Sequence, residues 1–226
     1  MELSNIYTYA FFDTPVVTLE LSVGISDRVQ VIRHGEIFAL VEPNVDIKSL
    51  ENDDERLIQA ALSHDRVICE LFRQTTVLPL QFGTTFISKE RLIEYLESHG
   101  QDHLNRLHQL HGKTEHCVKF IPRVPDEVDT SPKAKGKQYF LAKKQQYEAQ
   151  KKFKDSQKLE WDNTVELITK HYPSAIIKQL EQGWQVYLLI DHQQKALVIE
   201  QFLGWQLACP CWELQIGEAL PPYHFI

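Results

Sequence analysis

Apolar runs in the first part of the chain have the lengths and spacing of β-strands. Residues 6–12 and 16–23 predict two strands, and residues 29–32 and 37–41 predict a further pair. His34-Gly35 lies between the members of that pair, and glycine readily adopts the positive φ of a tight turn. We therefore expect a β-hairpin there.

Two segments of helical periodicity follow the hairpin. Asp53 or Asp54 caps the first, because a carboxylate is favoured at the positive end of the helix dipole. Its inward positions recur at helical spacing: Leu57, Ala61, His64, Ile68 and Leu71. Ser88 is expected to cap the second helix, and Gly100 can divide that helix into two.

The stretch VLPLQFGTTF, residues 77–86, joins these two helices. Residues 77–82 predict a buried or edge strand in which the donor missing at Pro79 is not needed. Gly83-Thr84-Thr85 raises the question of a phosphate-binding loop, which requires several glycines and a Lys. This loop has one Gly and no Lys, so we interpret it as a turn between strand and helix.

After Gly112 the pattern changes, and a second set of elements begins. Its expected order is strand, helix, strand, strand, helix, strand, which is the ferredoxin-like arrangement. The six elements are predicted at 117–121, 138–170, 175–180, 184–190, 194–205 and 212–216, with a loop at 122–137. The sequence thus predicts an α+β protein with an N-terminal mixed α+β sheet domain, residues 1–112, and a C-terminal ferredoxin-like domain, residues 113–226. The second domain carries a long Lys-rich helix and an apolar tail.

Composition narrows the class of protein. The 226 residues are 43% hydrophobic and carry a net charge of −7, which does not favour binding of nucleic acid or an anionic membrane by the whole molecule. No apolar run reaches the ~20 residues that span a bilayer, and the first residues do not resemble a signal peptide. Four cysteines do not make a disulfide scaffold. We expect a soluble cytoplasmic protein without a lipid-membrane contact.

Histidines and cysteines offer only weak metal-site patterns. Among the histidines clustered near the end of the second helix, His108 is expected on the opposite side from His99. Cys209-Pro210-Cys211 places two thiols two positions apart on an expected edge strand, but a zinc site needs further ligands. We expect no metal, no cofactor and no small-molecule substrate. Adjacent His64-Asp65 point in different directions on a helix, and no nucleophile motif is present, so no catalytic residue is assigned.

Charge is unevenly distributed along the chain. The segment 133–158 carries nine lysines and two acids, a net charge of +7, against −14 for the remainder. Such a segment can bind nucleic acid or an acidic protein surface, although its aromatic residues lack the arrangement of an RNA-recognition module. A nucleic-acid-binding module therefore stays open as an alternative, as does an enzyme of unrecognised type.

Several short motifs together resemble one known family. The chain carries Leu62-Ser63-His64-Asp65 on a helix, then residues 77–86, where the gas vesicle protein F/L family has a "VLPLRFGT.F" strand. Matches also occur around residues 112–119 and 136–144, and the ending PPYHF, residues 221–225, is similar too. Gln81 and residues 217–220 depart from the pattern, the latter where the family often has Gly-Pro-Trp.

The resemblance implies a minor structural or assembly protein of the gas vesicle, a gas-filled protein shell in the cytoplasm. It implies binding of the apolar major shell protein, which limits that protein's aggregation during shell nucleation, and association with other minor gas vesicle proteins. It also implies two α+β domains, no catalytic residue, and a shell-associated location that can face the gas. For partner binding we single out residues of the tail and of the long helix: Leu220, Pro221, Pro222, Tyr223, Phe225, Lys143 and Lys144.

Overall fold

The computed structural model describes residues 5–13, 19–50, 53–125 and 137–226. They form two antiparallel sheets and four helices, so the predicted α+β class is confirmed. The chain divides into two compact units. The first comprises residues 1–115 together with 219–226, and the second comprises residues 116–218. None of the helices in the described ranges is long and apolar enough to cross a membrane.

The sheet of the first unit is centred on a fully buried strand, β1 (Ile6–Phe12). β2 (Gln30–His34) and β3 (Ile37–Pro43) form the predicted hairpin, and Gly35 has a positive φ of 59° in its turn. β3 pairs antiparallel with β1, with a register shift between Thr8 and Ala10. The strand order is β2-β3-β1-β4, with β5 also pairing with β1.

Two capped helices accompany this sheet. In α1 (Asp54–Phe72) the Asp53 side chain accepts a hydrogen bond from the Arg56 amide, and in α2 (Lys89–Leu110) Ser88 accepts one from Arg91. Both caps agree with the sequence. The predicted break at Gly100 is wrong, because α2 is continuous there. Gly100 is buried, and a Cβ at this position would lie 3.7 Å from the Ile37 side chain.

The segment 77–86 is not the strand predicted for residues 77–82. It contributes only β4 (Leu78–Pro79) and β5 (Thr85–Phe86), two residues each. Between them the chain turns at Gly83, whose φ is 91°. The Leu80 amide donates to the Tyr9 carbonyl at 2.9 Å, and Thr8 donates to the Thr84 carbonyl at 2.9 Å. The segment therefore lies along β1 as two short strands joined by a turn, and not as one regular strand.

The second unit has the predicted order of elements. These are β6 (Lys113–Pro122), α3 (Lys137–His171), β7 (Ile176–Gln179), β8 (Trp184–Asp191), α4 (Lys195–Ala208) and β9 (Trp212–Ile216). The sheet order is β7-β8-β6-β9. The first and third strands of this unit, β6 and β8, therefore lie at the centre of the sheet, as in a ferredoxin-like fold. Its core is aromatic: Trp161 stacks on Trp184 with ring centroids 4.7 Å apart, and Phe120 meets Trp161 edge to face.

Two further predictions were wrong. Residues 19–22 are not a strand, Val23 forms only an isolated bridge with Arg28, and residues 14–18 lie outside the described ranges. Cys209-Pro210-Cys211 is not an edge strand, because Cys209 is the C-cap of α4 and β9 begins only at Trp212. The loop expected at 122–137 falls largely on residues 126–136, outside the described part of the chain.

Candidate functional site: exposed helix surfaces

A buried histidine connects three parts of the first unit. The Tyr7 hydroxyl lies 2.8 Å from Nδ1 of His64, and Nε2 of His64 lies 3.1 Å from the Leu80 carbonyl. The Gly83 amide in turn donates to the Tyr7 hydroxyl at 3.2 Å. A neutral imidazole protonated on Nε2 satisfies every partner, and burial lowers the pKa of His64, which favours that neutral form. Its ring also stacks on Tyr9.

A second buried group, Glu42, organises the loop at residues 24–27. Its carboxylate is fully buried and accepts backbone N–H bonds from Ile25, Ser26 and Asp27 at 2.6–2.7 Å, as well as the Tyr9 hydroxyl. Gly24 passes so close that a Cβ there would lie 2.0 Å from a Glu42 oxygen. Three backbone donors around one carboxylate are an anion site that the protein fills with its own side chain.

In both polar clusters the hydrogen-bonding groups are therefore satisfied by other groups of the first unit. Among the described residues no group of three or more His, Cys, Asp or Glu side chains could hold a metal ion. Of the histidines considered for such a site, His99 and His103 lie beside Tyr95, where His99 stacks at 4.4 Å between ring centroids. Cys209 is buried, and burial raises the pKa of its thiol. In the structure these groups make contacts within their own units, the histidines with Tyr95 and Cys209 with the Trp205 carbonyl.

The C-terminal tail packs within the first unit. Glu115 and Leu220 exchange backbone hydrogen bonds of 2.8 and 2.9 Å. The Glu115 carboxylate, 1% exposed, accepts the His224 amide at 2.8 Å and the His224 ring at 2.7 Å. Tyr223 packs against the core beside α1, and its hydroxyl donates to Asp65. Charge-assisted bonds of this kind hold the tail firmly in place.

The outward face of α4 is apolar. The helix packs inward through Val198 and Trp205, which are buried. On its other side, large aliphatic side chains remain exposed: Leu197, Ile199, Leu203 and Leu207. Only Lys195 and Glu200 carry charge among the residues Lys195–Ala208. A solvent-facing helix surface is normally polar, so this one is a candidate interaction surface. We call these four side chains the α4 face.

The N-terminal part of α3 is a second exposed surface. The buried residues of this helix begin at Trp161, and residues 137–155 are almost entirely exposed. Lys143 and Lys144 lie there, and Lys144 is 3.8 Å from Glu148. This part of α3 is a basic helix exposed to solvent over several turns.

Of the residues predicted for partner binding, the structure exposes Lys143 and Lys144 and buries Pro221 and Pro222. Leu220, Tyr223 and Phe225 are partly buried. Their assignment to partner binding stays a prediction. The α4 face was missed from the sequence, although a signal existed: apolar residues surround this helix on all sides, which is unusual where only one side is covered.

Comparison with known proteins agrees with this architecture. Similar solved structures include the gas vesicle protein GvpF from Anabaena sp. PCC7120 and that from Microcystis aeruginosa. The Anabaena protein has a TM-score of 0.71 at 17% identity, covering 98% of this chain and 95% of that one. The Microcystis protein has a TM-score of 0.67 at 15% identity, covering 98% of both chains. At these identities the likeness shows the fold alone.

A search of curated proteins gave no match. The model of one protein family, described as gas vesicle synthesis protein GvpL/GvpF, matches residues 5–226. The resemblance seen in the short motifs thus extends over nearly the whole chain, and the structural likeness agrees with it. The chain belongs to the GvpL/GvpF family of gas vesicle synthesis proteins.

Proposed function

We propose that this protein acts in gas vesicle assembly by binding the small, apolar major shell protein and limiting its aggregation while the shell nucleates. The observation that carries the proposal is the α4 face. An apolar surface exposed to water has a free-energy cost that is recovered when a partner covers it, at about 25 cal/mol per Å² of apolar area buried. An apolar shell subunit is a suitable partner for such a surface.

The rest of the molecule supports a carrier role. The net charge of −7 and a mean hydropathy of −0.32 favour solubility, so that a complex with an apolar subunit stays dispersed. The buried clusters around His64 and Glu42 are filled by internal hydrogen bonds, which favours a binding role over a catalytic one. We therefore propose a structural, non-enzymatic protein whose partners are gas vesicle proteins.

The test uses two exposed leucines of the same unit. Leu203 on the α4 face is 58% exposed, and Leu159 on α3 is 61% exposed. Purified protein is mixed with the major shell protein as the latter is diluted from denaturant, and light scattering records its aggregation. We expect the wild type and Leu159→Glu to suppress scattering. Leu203→Glu should lose most of that suppression.

Two results would count against this proposal. If the wild type does not delay aggregation and does not co-purify with the shell protein from vesicle-forming cells, binding of that protein is excluded. If the α4 variant and the Leu159→Glu control act alike, binding occurs elsewhere, and the tail with Phe225 becomes the next surface to mutate. Circular dichroism of each variant controls for loss of folding.

We also propose that the protein stays with the finished shell, on its inner side and bound to the shell protein through the α4 face. The family to which the chain belongs supports a location on the gas vesicle. Antibody labelling of intact and pressure-collapsed vesicles distinguishes the two faces of the wall. Labelling that appears only after collapse is expected, and equal labelling before collapse argues against an inner location.

A further inference from the structure

The exposed part of α3 carries a regular row of side chains. Six residues, spaced alternately by four and three positions, are all lysine or aromatic: Phe140, Lys144, Tyr147, Lys151, Lys154 and Lys158. We call them the α3 row. At 3.6 residues per turn this spacing places them along one side of the helix, as the contact positions of two packed helices are placed. Phe140 and Tyr147 are 73% and 68% exposed, respectively, so their rings lie in water.

A row of matching spacing and opposite charge lies on α1. Asp54 and Glu55 occupy its first turn. Ile58 lies three positions after Glu55, and Leu62 lies four positions after Ile58. Ile58 and Leu62 are 58% and 59% exposed, respectively. We call these four residues the α1 row. A depression of about 470 Å³ opens beside it, lined by apolar side chains such as Ile25 and Ile58 and by the charged pair Glu55 and Arg56. This depression can receive an aromatic side chain.

The charges of the two regions are complementary on a larger scale. Residues 137–158 of α3 contain seven lysines and two acids, a net charge of +5. The first unit, residues 1–115 and 219–226, contains ten Lys and Arg and eighteen Asp and Glu, a net charge of −8. Two whole molecules of charge −7 repel each other. Salt screens charges beyond a Debye length of about 10 Å, so when these two regions are in contact their opposite charges dominate and attract.

We propose that a second copy of this chain docks here, with the α3 row of one molecule against the α1 row of the other. Lysines then meet Asp54 and Glu55, while the two aromatic rings cover Ile58, Leu62 and the depression beside them. If each molecule contributes both rows, the contact is reciprocal and closes into a dimer. This self-association goes beyond the shell-protein binding proposed above and uses different residues.

The same lysines suit nucleic acid less well. Phe140 and Tyr147 are seven residues apart, which is roughly 10 Å along a helix. Single-stranded nucleic acids stack successive bases on neighbouring aromatic side chains, and this spacing is too wide for that. Tyr139 lies next to Phe140, but the two rings meet edge to face at 6.0 Å between centroids and so do not form a common stacking surface. The remaining acidic surface also repels a polyanion. An acidic helix with aliphatic side chains matches both the lysines and the rings of the α3 row.

Sedimentation equilibrium of the full chain tests the proposal. We expect a mass that rises with protein concentration at about 0.05 M salt and returns to the monomer value at about 0.5 M, where screening is stronger. Lys151→Glu lies in the α3 row and should weaken association at least ten-fold. Lys152→Glu makes the same charge change about 100° away around the helix, and should keep association within about two-fold of the wild type.

A mixing experiment tests the pairing of the two rows. Glu55→Lys alone should weaken association at least ten-fold, as Lys151→Glu does. A mixture of the two variants should associate more strongly than either alone, because opposite charges then face each other in both contacts. Leu62→Lys is a second α1 variant for the case that Glu55→Lys disturbs the start of the helix. Circular dichroism checks that each variant folds.

The remaining outcomes overturn the proposal. A monomer at every concentration and salt excludes self-association. Equal effects of Lys151→Glu and Lys152→Glu indicate non-specific charge attraction, and association that is lost in Leu203→Glu but kept in Lys151→Glu assigns it to the α4 face. A monomer that binds a single-stranded oligonucleotide at low salt, with loss in Lys151→Glu, assigns the α3 row to nucleic acid instead.

Discussion

The hydroxyl of Tyr7 donates a hydrogen bond to Nδ1 of His64 over 2.8 Å, joining the central strand of the first unit to helix α1. Both groups are buried, and His64 passes the connection on to the Leu80 carbonyl. The first prediction removes this donor. Tyr7→Phe leaves a buried ring nitrogen without its partner, at a cost of about 1–3 kcal/mol in unfolding free energy. Urea denaturation measures it, and Tyr147→Phe on the exposed part of α3 is the matched control, expected within about 0.5 kcal/mol of the wild type.

The second prediction concerns pH. Burial lowers the pKa of His64 below its ordinary value of 6.5, so the unfolded chain binds a proton there more readily than the folded protein does. Stability from this group is complete above about pH 6.5 and falls as the pH drops towards the lowered pKa of the folded state, by at most about 1.4 kcal/mol per pH unit. His103 contributes in the same direction, since burial lowers its pKa as well.

Urea midpoints between pH 8 and pH 5 measure the effect. His64→Gln should be less stable at pH 8, yet lose stability less steeply than the wild type on acidification. His192→Gln, at an exposed position of the second unit, serves as the control. An unchanged slope in His64→Gln would show that other groups cause the acid sensitivity.

The third prediction tests the carboxylate that organises residues 24–27. Glu42→Gln replaces an acceptor of four hydrogen bonds with a group that has one acceptor oxygen and two N–H donors. Because hydrogen bonds to charged groups contribute about 1.5–3 kcal/mol, we expect a loss of that order in unfolding free energy. Faster hydrogen exchange at the amides of Ser26 and Asp27 should accompany it. Glu36→Gln, which is exposed, serves as control.

The fourth prediction concerns the tail. Glu115→Gln weakens the hold on His224, because an amide oxygen accepts a less favourable bond than a carboxylate does. We expect the amide of His224 to exchange at least ten-fold faster and proteases to remove the tail earlier. If Glu218→Gln, an exposed change nearby in the sequence, has the same effect, the Glu115–His224 contact is not what retains the tail.

The fifth prediction contrasts two glycines. Gly183 has a φ of 99°, and a Cβ there would lie 2.1 Å from the Phe120 carbonyl oxygen. Gly183→Ala should therefore lower the unfolding free energy by at least about 2 kcal/mol, because the strain of the backbone and the close contact of the new Cβ both destabilise the folded state. Gly204 lies in α4 with open space around it, so Gly204→Ala should raise stability by about 0.5–1 kcal/mol. Thermal unfolding of both variants provides the comparison.

Local signals predicted the elements whose causes are local. The turn at Gly35 and the caps Asp53 and Ser88 each depend on neighbouring residues, and the structure has them as predicted. The strand predicted for residues 77–82 was wrong because the path of this segment depends on its contacts with Tyr7 and His64, which are far away in sequence. The break at Gly100 was wrongly predicted because one glycine costs a helix only about 1 kcal/mol, which the burial of Leu96 and Leu107 on the same helix outweighs.

The candidate surfaces divide in the same way. The charge of α3 is visible in the sequence, since lysines need no tertiary context to be counted. The α4 face is not, because its residues resemble core residues until the structure shows Val198 and Trp205 buried and Leu203 and Leu207 exposed. The distinction between a buried and an exposed leucine is decided by the packing of the whole unit.

The pairing of Glu115 with Leu220 has a consequence for biosynthesis. The second unit, residues 116–218, is inserted into the first, which resumes at residue 219. On the ribosome, the part of the chain that emerges earliest therefore cannot make its Tyr223 and His224 contacts until the entire inserted unit has been translated. During that interval Glu115 lacks the bonds from His224, and α1 lacks the cover of Tyr223. The unit whose synthesis begins first is thus the one that is completed last.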